Sequence, residues 1–78
     1  MKTLTAKEFS EYIAKNDPRY LYNPICEVAF KDVGYGKKGE LFCKGKGLQE
    51  FKIDRMDEDF ELAMMMKQVM SEKEYNDF

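Results

Sequence analysis

The stretch from residue 25 to residue 54 constrains this chain most. Apolar side chains recur there at alternate positions in three short runs, separated by glycine-containing breaks. Such alternation is the pattern of a half-buried strand. From Ile25 to Lys31 it places Cys26, Val28 and Phe30 on one face, with Ile25, Glu27, Ala29 and Lys31 on the other. A second strand from Glu40 to Lys44 turns Leu41 and Cys43 inward, and a third from Gln49 to Asp54 turns in Phe51 and Ile53. The loop Val33 to Gly39 and the turn Gly45-Lys46-Gly47 make the phases agree. Val28 falls near Leu41 or Cys43, Phe51 opposite Cys43, and Ile53 opposite Leu41. A three-stranded antiparallel meander is expected, with Cys26 and Cys43 as buried strand thiols.

Helix signals bracket the meander. Leu4-Thr5-Ala6-Lys7-Glu8-Phe9 reads as a capping box, with Thr5 as N-cap, Glu8 three residues on, and Leu4 stapled to Phe9. This helix runs to about Lys15, buries Phe9, Tyr12 and Ile13, and ends at Asn16-Asp17-Pro18, because the residue before proline disfavours helical geometry. A second helix begins at Asp54 or Asp57, with Asp57-Glu58-Asp59 favoured by the dipole of its first turn. It is expected to continue to about Glu74. The element order is α-β-β-β-α, and the fold class α+β: one two-layer domain over residues 1–78, a three-stranded sheet packed by N- and C-terminal helices. A chain of this size buries only about 60% of its unfolded surface, which leaves little core from which to carve an active site.

The residue inventory removes several chemistries. The chain has no histidine and two cysteines, too few for a Cys/His zinc site or a disulfide framework. Ser10 and Ser71 lie in expected helices, away from any nucleophile elbow. Gly34-Tyr35-Gly36-Lys37-Lys38-Gly39 matches G-x-G-x-x-G, but a strand follows where dinucleotide binding requires a helix. The acidic run Asp54, Asp57, Glu58, Asp59, Glu61 lacks calcium-loop spacing. No catalytic residue, metal or cofactor is expected, so the chain reads as a non-enzyme. No apolar run approaches the ~20 residues of a membrane span, and Met-Lys-Thr-Leu-Thr-Ala-Lys-Glu has no secretion-signal core. The expected location is the cytoplasm.

The net charge of −2 conceals an asymmetry. Residues 1–53 carry ten Lys/Arg against seven Asp/Glu, and residues 54–78 carry three against eight. On the outward face of the meander, Lys31, Lys37, Lys38, Lys44 and Lys52 interleave with Tyr35 and Phe42, the composition of a stacking platform for nucleic acid. The order α-β-β-β-α also resembles that of double-stranded-RNA-binding domains. That family grips phosphate with lysines at the start of its last helix. Here the position is Asp54-Arg55-Met56-Asp57-Glu58-Asp59, which repels phosphate, so direct nucleic-acid binding is the alternative reading rather than the leading one.

The leading reading concerns the stretch FELAMMMKQVM, residues 60–70. At 100° per residue, Leu62, Met66, Val69 and Met70 share a sector that can face the sheet. Phe60 and Met64 lie on a flank with Tyr75, beside Asp57, Glu58, Glu61 and Glu72. This suggests a second apolar stripe with an acidic edge, where methionine adapts to a partner's shape. In brevity and Lys/Glu/Met/Tyr-rich composition the chain is similar to the small accessory proteins by which phages and mobile elements inhibit host enzymes, anti-CRISPR and anti-restriction factors among them. The resemblance implies a protein-binding module that acts by occupancy, its acidic edge filling a basic groove otherwise used by nucleic acid. A self-associating structural protein, such as a homodimer, is the third reading.

Overall fold

The segment Arg19–Asn23, which lies between the expected first helix and the expected meander, is itself an inner strand of the sheet. The computed structural model describes residues 1–34 and 39–78. In chain order it contains β1 (Lys2–Thr3), α1 (Ala6–Lys15), β2 (Arg19–Asn23), β3 (Val28–Val33), β4 (Glu40–Gly45), β5 (Phe51–Ile53), α2 (Glu58–Met66), β6 (Gln68–Val69) and α3 (Glu72–Asp77). The described residues thus form one antiparallel sheet of six strands, in the order β1-β6-β2-β3-β4-β5, with three helices. The α+β class holds, whereas the three-stranded sheet and the order α-β-β-β-α do not.

The expected register of the last hairpin is present: Cys43 pairs with Phe51 and Leu41 with Ile53. Phe30, rather than Val28, lies opposite Cys43. Gly47 takes a positive φ of 72° in the turn, a conformation that glycine adopts without steric cost. The first strand of the expected meander starts at Val28 instead of Ile25, because residues 24–27 form a turn. Cys26 is therefore exposed, while Cys43 is buried as expected.

Helix α1 forms as its sequence dictates. The Thr5 hydroxyl accepts from the Glu8 N–H at 3.2 Å, and the Glu8 carboxylate accepts from the Thr5 N–H at 2.9 Å. The Tyr12 hydroxyl accepts from the Tyr20 N–H at 3.0 Å and ties the helix to β2. Phe9 enters the core, with Tyr12 and Ile13 packed against it.

The second helix ends eight residues earlier than expected. Lys67 adopts left-handed geometry at φ 57°, and its N–H closes the helix on the Ala63 carbonyl at 3.2 Å. This releases Gln68 and Val69 to pair with β1 and β2. A new capping box then starts α3, with Ser71 and Glu74 bonding reciprocally at 3.1 and 2.9 Å. Left-handed geometry at a non-glycine costs about 1–3 kcal/mol, so the tertiary pairing outweighs the helical propensity of the methionine run.

Both sheet faces are covered, giving three layers instead of two. On one face α1 and α2 close a core of Phe9, Leu21, Phe30, Leu41, Cys43, Phe60, Ala63 and Val69. On the other, α3 packs Tyr75 against Tyr20, Ala29 and Met70, with Tyr22 and Phe78 alongside. The Tyr20 and Tyr75 rings lie 5.1 Å apart, and Tyr22 meets Phe78 edge-on at 5.5 Å.

Strand β2 buries polar groups along with its apolar ones. Asp32 on β3 is paired with Arg19 on β2 and with Arg55 on the segment before α2. The Arg55 Nε–H also donates to the Gly39 carbonyl at 3.1 Å. Arg19 and Asp32 are each 1% exposed, and removing one partner of a buried pair leaves the other charge desolvated. Asp32→Ala is expected to lower the unfolding free energy in urea by about 3–5 kcal/mol.

On the α3 side, the Tyr75 hydroxyl donates to Glu50 at 2.7 Å and the Lys31 ammonium donates to the same carboxylate at 3.1 Å. Burial pushes the Glu50 carboxyl up. The two hydrogen bonds and the Lys31 and Lys44 charges overrule it and hold the group below its ordinary 4.5. A depressed folded-state pKa contributes stability above the unfolded value and loses it as pH falls through the folded one. Unfolding free energy should therefore fall below about pH 4.5, and Glu50→Gln should make that fall shallower. Glu8 and Glu74, also held low by hydrogen bonds from Thr5 in one case and the N-terminus in the other, act in the same direction.

Candidate functional site

The helix layer stops short of the sheet edge. Helix α2 packs over β2 and leaves the β4–β5 side of that face open as a groove of about 320 Å³. Its floor is Val28, Phe30, Cys43 and Ile53, its outer wall Leu48 and Phe51, and its acidic rim Asp57 and Asp59. Leu48 is 69% exposed and Phe51 58%. The alternation that turned Phe51 inward was right about the face and wrong about cover, since Phe51 stays exposed.

Local chemistry sets each wall. Leu48 folds toward the groove because its N–H donates to the Gly45 carbonyl at 3.0 Å. Glycine makes the fit close, since a Cβ on Gly45 would stand 3.1 Å from the Leu48 side chain and push it outward. Asp57 is the N-cap of α2, and its carboxylate accepts from the Phe60 N–H at 3.1 Å. Phe60 meets Phe30 edge-on at 5.5 Å and so fixes the helix above the floor.

Asn23 supplies the remaining constraint. It is fully buried at the end of β2, where its amide N–H donates to the Asp59 carbonyl at 3.0 Å. Its side-chain oxygen accepts from Ile25 and Cys26 N–H groups at 2.9 and 3.3 Å. One side chain thus joins the β2–β3 turn to the first turn of α2 and holds the rim in place.

Electrostatically the groove is neutral below and negative above. Burial pushes the Cys43 thiol up, and the carboxylates of Asp57 and Asp59 push in the same direction. The thiol is protonated at neutral pH and is no nucleophile. Asp57 and Asp59 have no cationic partner among the described residues. No three His, Cys, Asp or Glu side chains converge among those residues as a metal site would require. The arrangement suits recognition of a ligand with an apolar part and a positive part.

The residues expected to form a binding stripe are not brought together. Phe60 is 7% exposed against Phe30, Met64 is half-buried against the same core, and Tyr75 is 2% exposed on the opposite side of the sheet. The stripe is interior. Asp57 reaches the groove, Glu58 and Glu61 stay exposed elsewhere on α2, and Glu72 lies on α3, where it accepts from the Tyr20 hydroxyl at 3.3 Å.

The lysine and aromatic platform is also occupied from within. The Lys31 ammonium lies 5.0 Å from the Phe42 ring centre and 5.9 Å from that of Tyr75. The Lys44 ammonium lies 4.7 Å from the Tyr75 ring. Helix α3 therefore roofs the face expected to be open, while Lys52 pairs with Glu40 at 3.5 Å. Tyr35, Lys37 and Lys38 lie outside the described residues.

A second cavity of about 370 Å³ opens beside α3, between Tyr22, Met70, Phe78, Glu27, Glu74 and Asp77. Glu74 is already paired with the N-terminal ammonium and Asp77 with Lys73, which makes it the poorer cation acceptor. Comparison with protein-family models, curated proteins and solved structures finds no match to this chain.

Of the residues that line the groove, sequence reasoning assigns Asp57 alone to a site. Leu48 carried the available signal, an apolar residue directly after Gly45-Lys46-Gly47. Asn23→Ala is expected to cost about 1–3 kcal/mol and to speed amide exchange at Ile25 and Cys26, whose acceptor it removes. Hydrogen exchange followed by NMR checks both residues.

Proposed function

We propose that this chain is a protein-binding module that acts by occupancy, receiving an apolar projection of a positively charged partner in the groove between α2 and β5. The observation that carries this reading is the conjunction of an apolar-lined groove, the exposed side chains of Leu48 and Phe51 on its wall, and two carboxylates without a cationic partner among the described residues.

Single exposed apolar residues are ordinary on protein surfaces, and a contiguous group at a concave site is the informative case. The groove lies at the low end of the roughly 300–1,000 Å³ range of ligand pockets. Asp57 and Asp59 add steering, since complementary charge raises the association rate and selects against negatively charged competitors. An inhibitor built this way would block a basic host surface that otherwise meets nucleic acid, the role implied by the resemblance to phage and mobile-element accessory proteins.

Affinity capture from the native host, with wild type beside Phe51→Glu and beside the double variant Asp57→Asn/Asp59→Asn, tests the reading. Phe51 is exposed and asparagine is a good N-cap, so both proteins should fold. Phe51→Glu is expected to weaken the captured partner at least about 10-fold, the loss of a central aromatic anchor. The double variant should slow association and flatten its salt dependence. A specific partner retained equally by both variants docks elsewhere, and the groove is then not the site.

A further inference from the structure

Granting the protein-binding reading, on which this step rests, we infer that the groove receives an amphipathic α-helix with a Lys/Arg flank. Width is the first argument. Strands lie about 4.8 Å apart, so β5 stands roughly 14 Å from β2, over which α2 packs. A helix is about 10–12 Å across. A second helix laid beside α2 on the β5 side would set its apolar stripe on the exposed Phe51 and Leu48 and the half-buried Ile53. Of β4, Cys43 and Gly45 line the groove while Leu41 is buried, so the groove itself seats about one to two helical turns.

Charge is the second argument. The flank of such a helix nearest α2 runs past Asp57 and Asp59, the carboxylates that line the groove among the described residues. A Lys or Arg every third or fourth position on that flank would meet them, while acidic residues there would be repelled.

The edge argues against the competing geometry, a strand added to β5. That edge is three residues long and carries exposed Lys52, paired with Glu40. Short edges bearing lysine resist strand pairing. The open face, rather than the edge, is the surface available to a partner.

Three synthetic 14-residue peptides titrated into the 15N-labelled full chain decide the matter. The first carries leucine at helical spacing with lysine elsewhere, the second has two central residues replaced by proline, and the third replaces every lysine with glutamate. The first should shift the amides of Gly45, Phe51, Ile53 and Asp59, bind at least 10-fold more tightly than the proline peptide, and lose affinity to Asp57→Asn/Asp59→Asn. The glutamate peptide should leave the groove amides unmoved. Equal binding by the proline peptide overturns the helical form and leaves the groove reading standing. Absence of binding by the first peptide, or shifts confined to other surfaces, also overturns the helix inference, and the Phe51→Glu capture then decides the groove separately. Groove shifts that grow with protein concentration without peptide make a second copy the occupant and equally overturn it.

Discussion

The buried carboxylate of Asp32, held between two guanidinium groups, is the interaction on which the rest of the structure depends. Arg19 comes from β2, Asp32 from its neighbour, and Arg55 from the segment that leads into α2. Desolvating a charge is expensive unless opposite charges and hydrogen bonds surround it, so this site tolerates little displacement of any of the three segments. Asn23 performs the equivalent task at the other end of β2 with hydrogen bonds alone. Between these two polar fasteners, apolar packing of Phe60 on Phe30 determines where α2 lies and how much of the sheet it leaves bare.

The same fasteners explain which parts of the fold were legible in the sequence. The capping box at Thr5 and Glu8 and the pairing of Cys43 with Phe51 follow from local rules, and the structure contains both. Arg19-Tyr20-Leu21-Tyr22-Asn23 hid its strand character because both its faces are buried, and Arg19, Tyr20 and Asn23 draw on Asp32, Glu72 and Asp59, all distant in the chain. Hydrophobic alternation detects a strand with one wet face. The helix face was misread for a related reason. Phe60, Leu62, Ala63 and Met64 to Met66 are apolar nearly all round, so periodicity admits several core sectors, and the occupied one is Phe60, Ala63 and Met64. Ser71-x-x-Glu74 did announce the start of α3, but the continuous pattern through Met70 masked it.

A short chain that covers both faces of a six-stranded sheet has little helix to spend on each. The nine residues of α2 and ten of α1 close one face only in part, and the six of α3 suffice on the other because Tyr75 reaches across to Glu50 and the two lysines. The candidate groove is the consequence of that uneven cover. Its location was not readable from the order of elements, since it depends on which strand α2 settles over, a result of tertiary packing.

The carboxylates on the groove rim act in two directions at once. Toward solvent they present negative charge, and toward the interior they raise the cost of ionising the Cys43 thiol beneath them. Burial is the larger reason that the thiol stays protonated, and the rim carboxylates push in the same direction, so the floor is uncharged through the neutral pH range. The contact surface stays apolar where it is deepest, and sensitivity to salt is confined to its border.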